Sequence, residues 1–275
     1  MNHAIKVVPA LLAAVPLVAR AHDPLTSVGA EQAASLLSAS LLLVLWSLYC
    51  YGSARRRPRL AQALCFHGAV LLSGLTIFGP LDSWAETDAA AHMTQHMLMM
   101  LVIAPLWVLS QPLPQLRAST VGETAALLTR PLMRLTPHPL WAAWIHGAVL
   151  WFWHLPRFYV LALESPWWHV TEHLCFLLTA ALFAWSVLKC TRRSAPQALL
   201  AVLFTLMHTG FLGALLTFAR APLYVSSLTA SLPSDQLLAS QQLAGLLMWA
   251  LGAVPYLLAA LWITQRWLRQ LWVYR

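Results

Sequence analysis

The stretch Ala198–Phe218 reads ALLAVLFTLMHTGFLGALLTF and contains no charged side chain. At 1.5 Å per residue its helix would be about 30 Å long, which matches the hydrocarbon core of a bilayer. Backbone amides in lipid must hydrogen-bond within the segment, so we expect a transmembrane helix. Six other runs share this character, and together they predict an all-α polytopic membrane helix bundle of about seven transmembrane helices. The predicted spans are Ala34–Tyr51, Leu60–Gly79, Ala91–Ser110, Leu140–Leu155, Trp168–Leu188, Ala198–Phe218 and Ala239–Ile263.

The composition of the 275-residue chain excludes an ordinary soluble domain. Hydrophobic residues make up 60% and charged residues 9% of the chain, and the mean hydropathy is +0.67. A soluble domain carries roughly 25% charged residues. The formal net charge of +8 would suit a nucleic-acid partner, but the basic residues cluster at the ends of the apolar runs. We therefore expect contact with the lipid bilayer and none with nucleic acid.

The amino-terminal segment has the features of a secretory signal. Lys6 precedes the apolar stretch Val7–Val18, which is too short to span a bilayer, and Ala19-Arg20-Ala21 supplies the small residues of a cleavage site. We predict a cleaved signal peptide at residues 1–21, followed by one membrane domain over residues 22–275. The alternative is an uncleaved anchor, which would add an eighth span.

Arginine and lysine predict the orientation. Thirteen of them lie in alternate loops on one side, whereas beyond the signal peptide only Arg157 and Arg220 lie on the other side. Cytoplasmic loops carry such an excess of basic residues. We therefore predict a multi-pass protein of the bacterial inner membrane with a cytoplasmic carboxyl terminus. The thirteen residues are Arg55, Arg56, Arg57, Arg59, Arg117, Arg130, Arg134, Lys189, Arg192, Arg193, Arg266, Arg269 and Arg275.

Two features interrupt this regular pattern. Pro105 and Pro255 lie inside predicted spans, where a missing backbone N–H should kink the helix. The long loop Gln111–Pro139 on the cytoplasmic side contains one moderately apolar stretch, Thr124–Leu132, which weakly indicates an interfacial helix.

Histidines are concentrated at the predicted outer ends of the spans. His92 and His96 begin the third span, His154 closes the fourth, and His169 and His173 open the fifth. Ionisable groups inside membrane spans are costly and usually functional. Five imidazoles at one depth therefore predict a periplasm-facing metal site. A deeper tier near mid-membrane comprises His67, His146 and His208.

The spacing of these histidines favours copper. Residues four apart share one helical face about 6 Å apart, so each of the two pairs could hold one ion, with His154 as a further ligand. Neutral imidazole suits copper and zinc, and nearby thioethers such as Met97 would add a preference for Cu(I). A methionine stripe is more often core packing, and a lone membrane histidine often just bonds a neighbouring carbonyl.

Other residues have predicted supporting roles in such a site. Gln95 and Glu172, each beside a histidine, are candidates to hydrogen-bond to the imidazoles and orient them without binding the metal. Met97 and the deeper His208 are candidate positions through which copper would pass. We predict three or four simultaneous ligands from the five outer histidines.

Several motifs resemble the CtaG family, which serves caa-type cytochrome c oxidase. The resemblance covers roughly Ser35 to the carboxyl end, and it implies a seven-helix membrane bundle that assists oxidase assembly, through copper supply. One departure is Ser240, since the family often has aspartate before the last-span glutamine; Asp235-Gln236 lies five residues earlier. The matching motifs are His92-Met-Thr-Gln-His96-Met with Ala104-Pro105-Leu106, Trp153-His154-Leu155-Pro156 with Tyr159, His169-Val-Thr-Glu-His173, and Gln241-Gln-Leu-Ala-Gly-Leu-Leu-Met-Trp249.

The resulting hypothesis is a non-enzymatic copper chaperone whose partners are oxidase subunits or other copper-handling assembly proteins. Three alternatives remain open. His169-Val-Thr-Glu172-His173 matches the H-x-x-E-H pattern of inverted zinc proteases, with Glu172 as general base. The deeper histidines could instead bind haem, as in a b-type cytochrome. Ligands at two depths would also suit a copper permease.

Overall fold

The computed structural model describes residues 28–272, and in this range every regular element is a helix. This confirms the prediction of an all-α polytopic membrane bundle. The predicted signal peptide, residues 1–21, lies outside the described residues. The helices are α1 (Gly29–Arg55), α2 (Leu60–Phe78), α3 (Pro80–Ala85), α4 (Ala89–Met97, Leu98–Ile103 and Ala104–Ser110), α5 (Leu113–Arg117), α6 (Gly122–Leu135), α7 (Pro139–Trp153), α8 (Pro156–Glu164), α9 (Pro166–Leu188), α10 (Ala195–Thr217) and α11 (Ser234–Leu246, Leu247–Leu251 and Ala253–Trp272).

Six of the described helices are long and apolar enough to cross a membrane: α1, α2, α4, α9, α10 and α11. The predicted fourth span, Leu140–Leu155, corresponds to α7, which has only 15 residues and is thus about 22 Å long. Pro139 starts this helix, and Pro156 begins α8 immediately after it. Since proline is accommodated in a first helical turn, these two residues start successive helices and limit α7 to the run between them. The chain is therefore a multi-pass membrane protein in which α7 is a short seventh apolar helix.

The outward face of α10 shows how the bundle meets lipid. Leu203, Met207, Phe211 and Leu215 follow one another at four-residue spacing and are 51%, 66%, 59% and 46% exposed. Such a stripe would be unfavourable in water but is stable against acyl chains. Met207 therefore faces outward rather than toward the histidines.

Both interior prolines follow a π-helical segment. Leu98–Ile103 in α4 precedes Pro105, and Leu247–Leu251 in α11 precedes Pro255. In each segment an N–H bonds five residues back, as Gly252 does to the carbonyl of Leu247 at 3.0 Å. A proline cannot donate to the preceding turn, and the ladder shifts to the wider repeat. The expected disturbance at these prolines thus takes the form of π-helical turns.

The region before α7 contains the weakly predicted interfacial helix. α6 spans Gly122–Leu135 and includes the whole apolar stretch Thr124–Leu132. Polar and basic residues, among them Glu123 and Arg130, lie on the exposed side of α6. An amphipathic helix of this kind is typical of a membrane interface.

The packing of the bundle places α9 at its centre. α9 contacts α4, α7 and α8, and α4 in turn contacts α2, α3 and α11. The first turns of α4 and α9 therefore lie side by side, with the end of α7 nearby. We call this region the histidine end of the bundle, since it contains His92, His96, His154, His169 and His173.

Candidate metal centre

The two histidine pairs of α4 and α9 face each other. Ring centroids lie 4.2 Å apart within each pair, His92 with His96 and His169 with His173. Across the helices, His92 lies 5.8 Å from His169 and His96 lies 5.3 Å from His173. Potential ligand atoms of His92, His96 and His169 all lie within 4.8 Å of one another. Four of the five predicted imidazoles thus form one compact group, and three could converge on a single ion.

The nitrogen atoms of the α4 pair lack the hydrogen bonds that buried polar atoms usually make. His92 and His96 are 0% and 1% exposed, and neither His92 Nε2 nor either ring nitrogen of His96 has a hydrogen-bond partner. In most proteins more than about 90% of buried polar groups are satisfied. Unpartnered imidazole nitrogens directed at one another fit a cation with a preference for nitrogen ligands, such as copper or zinc.

A buried carboxylate lies beside these imidazoles. Glu172 is 1% exposed, and its Oε2 atom lies 3.9 Å from His92 Nε2 and 3.7 Å from His96 Nε2. These separations exceed hydrogen-bonding distance. The carboxylate therefore approaches the pair on the neighbouring helix.

His154 lies at the end of α7, outside the group of three. Its Nδ1 atom is 2.8 Å from the carbonyl of Leu150, which can only accept, so Nδ1 carries the proton. Nε2 is buried without a hydrogen-bond partner and retains its lone pair. The ring centroid lies 6.3 Å from that of Phe176 on α9. His154 thus stands next to the group as a potential ligand rather than within it.

Gln95 makes contacts different from those predicted. Its amide nitrogen donates to the carbonyl of Thr76 at 2.9 Å and to Asp82 Oδ1 at 2.7 Å, and neither partner is an imidazole. The amide nitrogen of Gln95 thus bonds to α2 and α3 rather than to a histidine, and its predicted role in orienting an imidazole stays a prediction. Because Gln95 is on the face of α4 toward α2 and α3, its side chain joins these three helices in the membrane interior.

The two predicted transfer positions lie in different places. Met97 is partly buried and packs against a cluster that includes Met93, Tyr159 and Met248, and Tyr159 is in ring contact with His92 at 4.9 Å. Met97 is thus close to the histidine group through one intervening side chain.

His208 lies away from the group, on α10. A Cβ atom added to Gly147 would come within 2.9 Å of His208 Nε2, so the glycine makes room for this ring. Both ring nitrogens of His208 are buried without a hydrogen-bond partner, while the adjacent His146 has its Nδ1 3.0 Å from Thr179 Oγ1. These two histidines form a separate, deeper position.

The segment 218–233 covers the histidine end, which sequence reasoning did not anticipate. Tyr224 stacks on Tyr159 at 3.8 Å and donates to the carbonyl of His154 at 3.1 Å. Gln241, from the last-span motif, accepts from the backbone N–H of Leu223 at 2.7 Å. Burial raises the pKa of Tyr224 above its usual range, so this hydroxyl stays protonated. Tyr159 and Gln241, both in the family-like motifs, were the signals in the sequence for this cover.

Glu164 connects the segment 218–233 to α8 through a hydrogen bond. Its Oε1 accepts from the backbone N–H of Ser227 at 2.7 Å, and this hydrogen bond lowers the pKa of the carboxyl. Glu164 also lines a cavity of about 190 Å³ together with Glu31 and Glu86, and His169 forms part of the same wall. An acidic depression therefore leads to one member of the histidine group.

A larger apolar cavity of about 370 Å³ lies between α1 and α9. Its lining includes Leu41, Leu45 and Leu178 along its length and His169 and His173 toward the histidine end. The group is thus bordered by an acidic cavity on one side and an apolar cavity on another.

Comparison with known proteins places the chain in a family. The family model described as cytochrome c oxidase caa3 assembly factor (Caa3_CtaG) matches residues 45–270. This range contains α2 to α10 entirely, together with all five histidines of the histidine end. No curated protein and no solved structure matches the chain. With more than half of its length matched, the chain belongs to the cytochrome c oxidase caa3 assembly factor family.

Proposed function

We propose that this assembly factor binds copper at the histidine end of the bundle and delivers it to cytochrome c oxidase. The observation that carries the proposal is the buried group of His92, His96 and His169, whose potential ligand atoms lie within 4.8 Å of one another. The Nε2 atoms of His92 and His96 are buried without hydrogen-bond partners, which is costly in a membrane interior unless they bind something. For an oxidase assembly factor, copper is a cargo that prefers imidazole nitrogen ligands of the kind found here.

The copper would be bound on the periplasmic side of the inner membrane. Support comes from thirteen basic residues, which follow alternate apolar spans on the side opposite the predicted outer ends. The acidic cavity with Glu31, Glu86 and Glu164 would attract cations to this side, since clustered like charges raise the local concentration of counter-ions. With this orientation the carboxyl terminus is cytoplasmic, and residues 1–21 act as the signal peptide.

The proposed role is chaperoning rather than catalysis. In a zinc hydrolase, Glu172 would be a general base directed at a water on the metal held by His169 and His173. Here its Oε2 atom instead approaches His92 and His96, which favours a role in holding an ion. Copper would leave through Met97 toward an oxidase subunit or another copper-handling protein. His208 would provide a second binding position, deeper in the membrane.

Copper analysis of purified protein and of the membrane oxidase tests the proposal. Replacing both His92 and His96 by alanine should reduce bound copper more than about tenfold, since losing a ligand costs more than losing an outer-shell partner. Oxidase copper and activity should fall in the same cells. The matched control removes two other histidines, His67 and His138, and should retain copper in both samples. Wild-type protein without copper, or oxidase unaffected by the double replacement, would contradict the proposal.

A further inference from the structure

The position of Glu172 supports an inference about how the ion is bound and in which oxidation state. This inference rests on the proposed function. Its carboxylate is buried at membrane depth, where a charged group needs a nearby opposite charge. Within residues 28–272, His92 and His96 are the basic side chains that approach it to within 4.0 Å, and no lysine or arginine pairs with it. No permanently cationic side chain among the described residues therefore balances the charge of this carboxylate, and a bound metal ion could do so.

The distances fit a shared ion better than a hydrogen bond. Glu172 Oε2 lies 3.9 Å from His92 Nε2 and 3.7 Å from His96 Nε2. Hydrogen bonds to nitrogen fall at about 2.7–3.2 Å. Two ligands that are each about 2.0–2.2 Å from one ion are about 3.4 Å apart at a tetrahedral angle and at most about 4.3 Å apart. Both observed distances lie inside that interval.

The atoms that approach one another are ones without hydrogen-bond partners. Neither Glu172 Oε2 nor the Nε2 atoms of His92 and His96 have a hydrogen-bond partner. A carboxylate that only oriented the rings would bond to one nitrogen of an imidazole while the other nitrogen held the metal. Here the carboxylate oxygen approaches the unpartnered Nε2 atoms of both histidines, which is the position of a ligand to an ion that they share.

We propose that Glu172 is a direct metal ligand with His92 and His96, and that this donor set selects Cu(II) over Cu(I). A carboxylate oxygen is a hard ligand and imidazole is intermediate, whereas Cu(I) prefers soft sulfur ligands. The anionic oxygen also offsets part of the divalent charge in surroundings of low dielectric constant. His169 supplies the third imidazole from the same helix as Glu172.

The variant Glu172→Gln tests this assignment, because it keeps the size of the side chain and removes its charge. Purified full-length protein is titrated with Cu(II) and, in a separate anaerobic arm, with Cu(I) against competing chelators. Cu(II) affinity should fall more than about 100-fold, beyond the roughly 10–100-fold typical of losing a residue that only hydrogen-bonds to a ligand. The Cu(II) electron paramagnetic resonance spectrum should change, while Cu(I) affinity should change less than about tenfold. Glu123→Gln, an exposed position on α6, is the matched control and should leave all three measurements unchanged.

Thermal unfolding of the metal-free variants shows whether each is folded, and Glu172→Asp provides a second arm. Aspartate keeps the carboxylate but withdraws it by one methylene, so Cu(II) affinity should fall less than in Glu172→Gln. An unchanged Cu(II) spectrum in Glu172→Gln, or equal losses for Cu(I) and Cu(II), would overturn the ligand assignment. That result, combined with lost oxidase copper in the His92/His96 variant, would leave the proposed function standing. If the Cu(II) and Cu(I) titrations gave the expected results but the His92/His96 variant left the oxidase unaffected, the ligand assignment would stand and the proposed function would be contradicted.

Discussion

Asp88 and Ser240 illustrate how single residues support the histidine end. Asp88 caps α4, since its Oδ1 accepts from the backbone N–H groups of Ala90 at 2.7 Å and Ala91 at 3.1 Å. Ser240 on α11 donates its hydroxyl proton to the same oxygen at 2.8 Å. The family often has aspartate where this chain has Ser240, and a carboxylate there would face Asp88. The serine therefore suits this particular cap, one turn before His92.

We expect Ser240→Asp to destabilise the protein. It replaces a donor by a second negative charge beside Asp88 and so weakens the cap, whose complete loss would cost about 0.5–2 kcal/mol. Thermal unfolding in detergent measures the change, which should appear as a lower midpoint.

The double variant Asp88→Asn/Ser240→Asp is the control for this prediction. Asparagine removes one of the two charges and offers an amide donor to the new carboxylate, so most of the lost stability should return. A midpoint that stays low in the double variant would show that the serine acts through something other than Asp88.

At the scale of helices, α10 and α11 pack closely through two glycines. A Cβ atom on Gly213 would lie 2.9 Å from the carbonyl oxygen of Gly245, and one on Gly245 would lie 2.5 Å from that of Gly213. Small residues allow such close backbone contact, which replaces the hydrophobic driving force that helices lack in lipid. Because α11 also contacts α4, this contact helps to hold the first turns that carry His92 and His96.

Gly213→Ala should therefore destabilise the bundle by about 1–3 kcal/mol, as overpacking does in other tightly packed interiors. Gly210→Ala on the same helix is the matched control, because nothing lies within 4 Å of a Cβ atom there. The control should be neutral or up to about 1 kcal/mol more stable, since alanine favours helix over glycine. Detergent denaturation of both variants makes the comparison, and equal midpoints would disprove the close-contact account.

At the scale of the whole molecule, function depends on the side of the membrane that the histidine end faces. The basic loops predict a cytoplasmic carboxyl terminus, which puts the segment 218–233 and the acidic cavity in the periplasm. An assembly factor with this orientation would meet copper outside the cytoplasm.

Reporter fusions test this orientation. An enzyme that is active only in the periplasm should be silent when fused after Arg275 and active when fused after Asp235, at the start of α11. A reporter that is active only in the cytoplasm should give the opposite pattern at the same two positions. If the first reporter were active after Arg275, the histidine end would face the cytoplasm and the proposed periplasmic binding would be wrong.

Much of the architecture could be predicted from the sequence because a bilayer permits few solutions. Runs such as Ala198–Phe218 must become helices, as backbone groups in lipid have no other partner. The helix boundaries deviate mainly at prolines, and the run Leu140–Leu155 illustrates this, since α7 begins at Pro139 and ends at Trp153, shortly before Pro156 starts α8. The family resemblance also follows from short motifs that can be identified without any structure.

The sequence by itself determined the helices, the four-residue spacing of His92 with His96 and of His169 with His173, and the concentration of imidazoles at one end. Only the tertiary structure decided which helix faces meet, because helical periodicity leaves the rotation of each helix about its axis unspecified. That rotation turns Gln95 toward Asp82 and Glu172 toward the α4 histidines, although both residues adjoin a histidine in the chain. The sequence places His208 deeper in the membrane, and the packing of α10 decides that its ring lies against Gly147.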